Sequence, residues 1–268
     1  MKFGMPNLVE CRDLDDCVLA AENLGLDFVE INMSFPSYAS GTLDPAHCRA
    51  LSRAHRVSYT IHADEGLNPF DFQPKVSACY FDVMWDTLRF AREIGAPIVN
   101  FHLQKGVYVT LPDRVILLSD VYREEYLARV RAFVRMCEEE IGDAPLTVAV
   151  ENVDSTPFTD SQRQALSEIL MKSPHIALTL DTGHMISLAG ADLGVFDAYP
   201  EKLRHMHLHE SDGHHAHLPL GEGTAEALTY LSRLPADATC LLEVKTLAGL
   251  EKSVAYLKNH SVKEFLKR

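Results

Sequence analysis

The sequence predicts an α/β protein that folds as one (β/α)8 barrel domain over residues 1–268. Eight short strand-like runs alternate with longer amphipathic runs, with no change of composition between them, and alternating βα units indicate a parallel sheet. A length of 268 residues is also typical of eight such units closed into a barrel. The alternative is an open doubly wound sheet, but no G-x-G-x-x-G motif follows a predicted strand.

Each predicted strand is a short β-rich run. In chain order the predicted strands are Lys2–Met5, Phe28–Met33, Val57–Ala63, Ile98–Leu103, Leu146–Asn152, Ile176–Asp181, His205–Glu210 and Thr239–Lys245. Side chains alternate between the faces of a strand, so Thr147, Ala149 and Glu151 share one face of the fifth strand. Val148 and Val150 share the other face, which suits packing under helices.

Helices are predicted where apolar residues recur at spacings of three and four. The sets with this spacing are Met84, Leu88 and Ala91; Leu127, Val130, Val134, Cys137 and Ile141; Leu228, Leu231 and Leu234; and Leu247, Leu250, Val254 and Leu257. Gly25, Gly95 and Gly142 each follow a helical run and precede a strand, as residues that end helices do.

Two of the loops after predicted strands are long and contain apolar residues. The first, Asp64–Lys75, contains Phe70, and the second, Gln104–Asp120, contains Val107 and Tyr108. Such residues are typical of a lid over a site. They also fit an edge packed on the barrel or a contact between copies of the chain in a homo-oligomer, and the sequence leaves these interpretations open.

The charge and cysteine content restrict the partners and the compartment. Lys and Arg total 25 and Asp and Glu total 38, for a net charge of −13, which disfavours nucleic acid and anionic membranes. The six cysteines form no C-x-x-C pair, as expected of reduced thiols in a cytoplasmic protein. Neither a signal-peptide pattern nor an apolar run of transmembrane length is found, so we expect no membrane partner.

Titratable side chains gather where the predicted strands end. The residues at or beside these ends are Glu30, His62, His102, Glu151, Asp181, His184, His207 and Glu243. In a (β/α)8 barrel the carboxyl ends of the strands face the active site. Converging carboxylates repel one another, and Lys245 is the one basic residue near these ends. A divalent cation is therefore expected, and mixed His and carboxylate ligands suit Zn or Mn, or else Fe or Co.

The chain resembles the xylose isomerase-like TIM-barrel superfamily over essentially its whole length. Glu151, Asp181, His207 and Glu243 are separated by 30, 26 and 36 residues, which is similar to the single-metal site of the ketose 3-epimerases and hydroxypyruvate isomerases. The resemblance implies that these four residues bind the metal. It also implies that Glu151 and Glu243 are catalytic and transfer protons through a metal-bound enediolate, and that His184 contacts a small sugar or ketose.

The chain also resembles endonuclease IV, a multinuclear zinc phosphodiesterase of the same superfamily that acts on abasic DNA. This resemblance adds His62, His102, His184, His215 and His217 as further metal ligands, so that one, two or three ions are expected. His215 is included as a ligand although that family has an aspartate at its position. Alternatively, His62 and His102 contact substrate hydroxyls.

The surroundings of the site favour the sugar isomerase or epimerase. A DNA enzyme needs basic loops to bind phosphates, but the mouth loops 64–66 and 210–213 are acidic, and Lys105 and Arg114 are the basic residues of the second long loop. An Arg that the epimerases often carry after the seventh strand is missing, and Lys245 is the expected substitute in substrate binding. A binding protein without turnover would carry the same groups, and the sequence leaves that alternative open.

Overall fold

The chain forms a closed barrel of eight parallel strands, as predicted. The computed structural model describes residues 1–153, 156–260 and 262. The strands of the barrel are β1 (Lys2–Pro6), β2 (Phe28–Asn32), β3 (Ser58–His62), β4 (Ile98–His102), β7 (Thr147–Glu151), β8 (Ile176–Asp181), β9 (Leu203–Leu208) and β10 (Thr239–Leu242). They neighbour one another in chain order, and β1 pairs with β10 to close the sheet.

Helices cover the outside of the barrel. They are α1 (Leu14–Leu24), α2 (Pro45–His55), α3 (Pro74–Ile94), α4 (Leu118–Val121), α5 (Arg123–Ile141), α6 (Asp160–Lys172), α7 (Thr182–Ser187), α8 (Leu193–Ala198) and α9 (Leu247–Asn259). Buried apolar residues of the strands and helices form one large core between the two layers. Inside the barrel, Ile98, Ala149 and Ala177 form a small separate cluster.

The ends of the helices follow the sequence signals. Asp13 caps α1 by accepting a hydrogen bond from the backbone N–H of Asp16, which satisfies a donor that has no partner within the helix. Gly25 and Gly95 end α1 and α3 at φ 73°, a left-handed conformation that glycine adopts without steric cost. The predicted helix stops at these two positions are confirmed.

Three of the predicted elements differ from the expectations in helix type or by two or more residues at one end, whereas the other strands agree to within one residue at each end. Residues Ala227–Arg233 form a 3₁₀ helix instead of an α-helix, because Leu228, Leu231 and Leu234 repeat strictly every three residues, which is the 3₁₀ period. β9 begins at Leu203, two residues earlier than predicted, and ends at Leu208. β10 ends at Leu242, so that Glu243 follows the strand directly.

The two long loops have different structures. In the first, Phe70 is buried and its ring packs against Phe101, Tyr126 and Phe133, so this loop packs on the barrel. The second contains an antiparallel hairpin of β5 (Tyr108–Thr110) and β6 (Val115–Leu117). Val107, Tyr108, Val109 and Val115 are exposed on it. A lid and an oligomer contact both remain expectations for the hairpin.

Two further observations concern the cysteines and the helices. No disulfide joins the six cysteines, all of which lie within the described residues. Among the helices of residues 1–153 and 156–260, none has the length and apolar character needed to span a bilayer.

Gly4 makes room for an aromatic ring inside the barrel. Gly4 of β1 pairs with Phe28 of β2, and a Cβ on Gly4 would lie 2.3 Å from a carbon of the Phe28 ring. The Phe28 ring in turn lies 6.1 Å, centroid to centroid, from the ring of His205. Phe28 therefore fills the barrel on the side of His205 away from the carboxyl ends of the strands.

We predict that Gly4→Ala destabilises the protein by about 1–3 kcal/mol, because the added methyl group must displace the Phe28 ring in a packed interior. The measurement is urea-induced unfolding of the wild type, Gly4→Ala, Phe28→Leu and the double variant. A leucine side chain is smaller than the aromatic ring and relieves the clash, so the double variant should lose less than the sum of the two single losses. Additive losses would contradict the proposed contact.

Candidate metal centre at the barrel mouth

The predicted site residues converge at the carboxyl ends of the strands. The parallel register places His102 of β4 beside Glu151 of β7, and Asp181 of β8 beside His207 of β9. Glu243 follows β10 directly. Because all of these strand ends meet at one rim of a closed barrel, residues far apart in the sequence face one another across its mouth.

The four expected metal ligands form one buried group around His207. His207 Nδ1 lies 3.0 Å from Glu151 Oε1 and 3.1 Å from Glu243 Oε2, and Asp181 Oδ2 is 3.8 Å from the same nitrogen. One potential ligand atom from each of the four residues lies within 4.8 Å of the other three. We call Glu151, Asp181, His207 and Glu243 the quartet.

The quartet contains buried polar atoms without hydrogen-bond partners, as expected of a cation site. Glu151 Oε1, Glu243 Oε2 and His207 Nδ1 are buried and make no hydrogen bond within the described part of the chain. A buried polar atom without a partner costs about 1–3 kcal/mol, and three such atoms point at one another here. A divalent cation among them would satisfy all three, and two carboxylates with an imidazole suit Zn or Mn. The residues therefore fit a metal.

The negative charges of the quartet are balanced in part by its imidazole. Burial alone would raise the pKa of the Glu151 carboxyl, but His207 and His102 lower it well below its usual range. Burial would likewise raise the pKa of Glu243, but Lys245 and His207 lower it well below its usual range. For His207, burial is outweighed by Glu151, Glu243 and Glu30, which raise its pKa well above the usual value. A proton and a metal ion thus compete for His207 Nδ1.

His62 and His102 approach the other oxygen of Glu151. Their Nε2 atoms lie 3.4 Å and 3.2 Å from Glu151 Oε2, and the two rings meet edge to face at 4.8 Å. His62 Nδ1 is 2.7 Å from the Ala63 carbonyl oxygen, which can only accept, so Nε2 carries the lone pair whenever the ring is neutral. Burial would lower the pKa of His62, but Glu151 raises it above its usual value. A lone pair and a carboxylate that face each other need a proton or a second cation between them.

Asp181 is held in place by two neighbouring histidines. Its Oδ1 accepts the backbone N–H of His184 at 2.7 Å, which caps α7. Its Oδ2 lies 2.9 Å from His209 Nε2. Because a carboxylate oxygen can only accept, His209 Nε2 carries a proton and donates it to Asp181. His209 Nδ1 accepts the backbone N–H of His217 at 2.9 Å and lies 3.1 Å from the carbonyl oxygen of Glu210. His184 Nδ1 donates to the carbonyl of Asn152 at 2.9 Å.

His217 and His215 lie in the loop after β9 and have different environments. His217 adopts φ 58°, a left-handed conformation that is costly for a residue other than glycine and is found mainly at functional sites. Its Nδ1 is buried without a partner, 3.7 Å from Glu243 Oε2, and burial lowers its pKa to about 4. The His215 side chain is 74% exposed and binds Asp212, so the structure does not bring it to the quartet.

A cavity of about 260 Å³ opens above the quartet. The residues that line it are Glu65, His102, Gln104, Val153, His184, His217, Glu243 and Lys245. Lys245 Nζ donates to Glu243 Oε1 at 2.7 Å. Of the expected substrate contacts, His102, His184 and Lys245 line this cavity, whereas His62 is buried behind it.

Several residues that build the site are not among those expected from the sequence. Asn100 donates to Glu151 Oε2, and period-two alternation from His102 on β4 would have indicated it. Asn32 Nδ2 binds Glu65 Oε1 at 2.7 Å, and the same alternation from Glu30 places it on the inner face of β2. Gln104 and Glu65 lie in loops, where no periodic signal exists.

Comparisons with known proteins agree with this architecture. The family model of the xylose isomerase-like TIM barrel matches residues 18–260. No curated protein is significantly similar to the chain in sequence. Among solved structures, a D-tagatose 3-epimerase-like protein has a TM-score of 0.77 at 22% identity, with 100% of this chain and 99% of that chain covered.

Two further solved structures represent the two candidate activities. An L-ribulose 3-epimerase has a TM-score of 0.74 at 17% identity, covering 99% of this chain and 96% of that chain. Endonuclease IV from Thermus thermophilus has a TM-score of 0.69 at 20% identity, covering 100% of both chains. At these identities the likeness shows the shared barrel fold.

We predict that Gly183→Ala disturbs the support of Asp181. A Cβ on Gly183 would lie 2.0 Å from Cε1 of His209, so the ring must leave the position from which it donates to Asp181. We expect a loss of about 1–3 kcal/mol in the free energy of unfolding, measured with urea.

The matched control is Gly194→Ala. Gly194 also lies near the start of a short helix, but a Cβ there would meet no atom within 4 Å. This change should be neutral or should stabilise the helix by up to about 1 kcal/mol. Equal effects of the two substitutions on the free energy of unfolding would show that the contact with His209 does not cause the loss.

Proposed function

Because this chain belongs to the xylose isomerase-like TIM-barrel family, we propose that it is a divalent-metal-dependent isomerase or epimerase of a small sugar or ketose. The observation that carries the proposal is the pair of buried glutamates, Glu151 and Glu243, that flank His207 Nδ1 at 3.0 Å and 3.1 Å. Each glutamate has one oxygen bound to a neighbour and one without a partner.

We propose Glu151, Asp181, His207 and Glu243 as the metal ligands, with Zn or Mn as the ion. A bound divalent cation supplies Lewis acidity, which acidifies the C–H bond beside a coordinated carbonyl group. The ligand set has three carboxylates and one imidazole, so that the ion and its ligands together keep a net negative charge of −1. The proposed Lys245 contact to the substrate would add positive charge near Glu243.

The two glutamates are proposed to move the proton. Glu243 Oε1 is bound by Lys245, and Glu151 Oε2 is bound by Asn100, so each carboxylate is fixed by one oxygen and presents the other. Their depressed pKa values keep both ionised near neutral pH, as a general base requires. Isomerisation and epimerisation both need a base to remove a proton from carbon and an acid to return one, and two carboxylates provide both.

The cavity fits a small polyhydroxylated substrate. Its volume of about 260 Å³ lies just below the ~300–1,000 Å³ of most small-molecule sites. Gln104 and Glu65 at its rim, together with His102 and His184, offer donors and acceptors for hydroxyl groups. The structural neighbours include epimerases named for D-tagatose and L-ribulose, which is consistent with a carbohydrate.

A multinuclear phosphodiesterase that acts on abasic DNA is the second candidate. It is favoured by His62 and His102, which approach Glu151 Oε2 and could hold a second ion, and by His217 beside Glu243. The charge argues against it. The net charge is −13, and among the described residues that line the cavity, Lys245 is the one side chain of permanent positive charge, so few groups could bind a phosphate backbone.

We predict that the purified protein binds at least one equivalent of Zn or Mn, and that Asp181→Asn and His207→Ala each weaken binding at least tenfold because each removes a ligand. Metal content is measured by elemental analysis after dialysis. Asp192→Asn is the control, since Asp192 is as buried as Asp181 but binds Arg163 and the Phe158 backbone. Unchanged metal content in both quartet variants would refute the ligand assignment.

We predict that the metal-loaded protein isomerises or epimerises a member of a panel of ketoses, and that deuterium from ²H₂O enters the product at the carbon beside the carbonyl. Glu151→Gln and Glu243→Gln should each lower turnover by about 10²–10⁴-fold, since each removes a proton-transfer group. The readouts are NMR of the sugars and, in parallel, cleavage of an abasic oligonucleotide. Cleavage without sugar turnover would favour the second candidate.

A further inference from the structure

A row of buried polar side chains lies inside the barrel beneath the quartet. It contains Glu30 of β2, Thr60 of β3, His205 of β9 and Thr239 of β10, and each of them is buried. The proposed function does not use any of these residues. They contact one another across the interior and reach the quartet through His207.

Hydrogen bonds fix the orientation of the Glu30 carboxylate. Its Oε2 accepts the hydroxyl of Thr60 at 2.8 Å and lies 3.0 Å from His205 Nε2. Thr60 and His205 lie against the same oxygen of Glu30, and a carboxylate oxygen can only accept, so Oε2 is satisfied from two sides.

The far end of the row holds the other edge of the His205 ring. His205 Nδ1 is 2.6 Å from Thr239 Oγ1, and the Thr239 hydroxyl also lies 3.5 Å from the carbonyl oxygen of Arg204. Because a carboxylate oxygen can only accept, His205 Nε2 carries a proton and donates it to Glu30. Thr239 and Glu30 together fix the orientation of the ring.

The second oxygen of Glu30 faces His207. Glu30 Oε1 lies 3.1 Å from His207 Nε2, off the line of an aligned hydrogen bond, so that charge attraction dominates the contact. An acceptor on this side favours a proton on Nε2. With one proton held on Nε2, a metal ion that displaces the other proton of the ring would meet the lone pair of His207 Nδ1, on the opposite edge, between Glu151 and Glu243.

We propose that Glu30 is a positioning residue: held by Thr60 and His205, it fixes His207 in its Nε2–H tautomer and so presents Nδ1 to the metal. This inference rests on the proposed metal role of the quartet. Carboxylates that bind the outer nitrogen of a metal-bound histidine have this effect in other sites, and their loss lowers metal affinity about 10–100-fold.

The most direct test of this role is the variant Glu30→Gln, which keeps the size and shape of the side chain. Thr60 and His205 both donate, so the Gln carbonyl oxygen takes the place of Oε2. The Gln NH₂ group then faces His207 Nε2 and donates to it. His207 must shift its proton to Nδ1, where it blocks the ligand position.

The test is Zn²⁺ binding by competition with a chromophoric chelator, together with ¹⁵N NMR of histidine-labelled, Zn-loaded protein. We expect the wild type to show His207 with a protonated Nε2, and Glu30→Gln to bind Zn²⁺ about 10–100-fold more weakly. The matched control is Thr179→Val. Thr179 is fully buried, pairs with His205 in the barrel and has an unpartnered hydroxyl, so its loss should leave Zn²⁺ affinity unchanged.

Three results would count against the inference. A Zn²⁺ affinity of Glu30→Gln within about twofold of the wild type would overturn it, since the loss expected of such a carboxylate is larger. A Zn-loaded wild type whose His207 Nε2 carries no proton would also overturn it, and this measurement decides the question even if Glu30→Gln does not fold. If the wild type binds neither Zn²⁺ nor Mn²⁺, the proposed function itself fails, which is a distinguishable outcome.

Discussion

The site depends on one imidazole ring that has carboxylates on both of its edges. His207 lies within 3.1 Å of Glu151 and Glu243 through Nδ1 and of Glu30 through Nε2. Three carboxylates this close in a buried interior would repel one another strongly without a positive charge among them. Either a protonated ring or a metal ion supplies that charge. Binding of a divalent metal therefore releases a proton from the ring, so that the site gains one positive charge instead of two.

Several histidines at the barrel mouth use their two ring nitrogens for different contacts. His62 and His184 each direct Nδ1 to a backbone carbonyl, of Ala63 and Asn152. In both residues Nδ1 is therefore bound to the backbone, and Nε2 is the nitrogen that can bind a ligand in the site. In His209 it is Nε2 that is bound, because it donates to the Asp181 carboxylate. Backbone geometry therefore determines which histidines can act as ligands.

The barrel and the meeting of carboxylates and histidines at its mouth could be predicted from the sequence because they follow from local rules, whereas the choice of the quartet as the metal ligands came from the family resemblance. Strand alternation puts Glu151 and Asp181 on an inner face, and parallel strands bring their ends to one rim. The position of His215 could not be predicted, because a loop has no periodicity and its side chain turns toward Asp212 instead. The role of Glu30 was also hidden, since its partners His205 and His207 lie at the other end of the chain. The 3₁₀ helix at Ala227–Arg233 was misread because spacings of three fit both helix types over so few turns.

The link between Glu30 and His205 joins residues separated by 175 positions in the chain. It crosses the interior between β2, which is synthesised early, and β9, which is synthesised late. The quartet also needs Glu243, which follows the last strand. A growing chain on the ribosome thus carries several imidazoles and carboxylates long before they can meet, and the proposed metal site is complete only once β10 pairs with β1. Metal binding by the full quartet would thereby mark completion of the barrel, and incomplete chains, which lack Glu243, would offer fewer ligands to the ion.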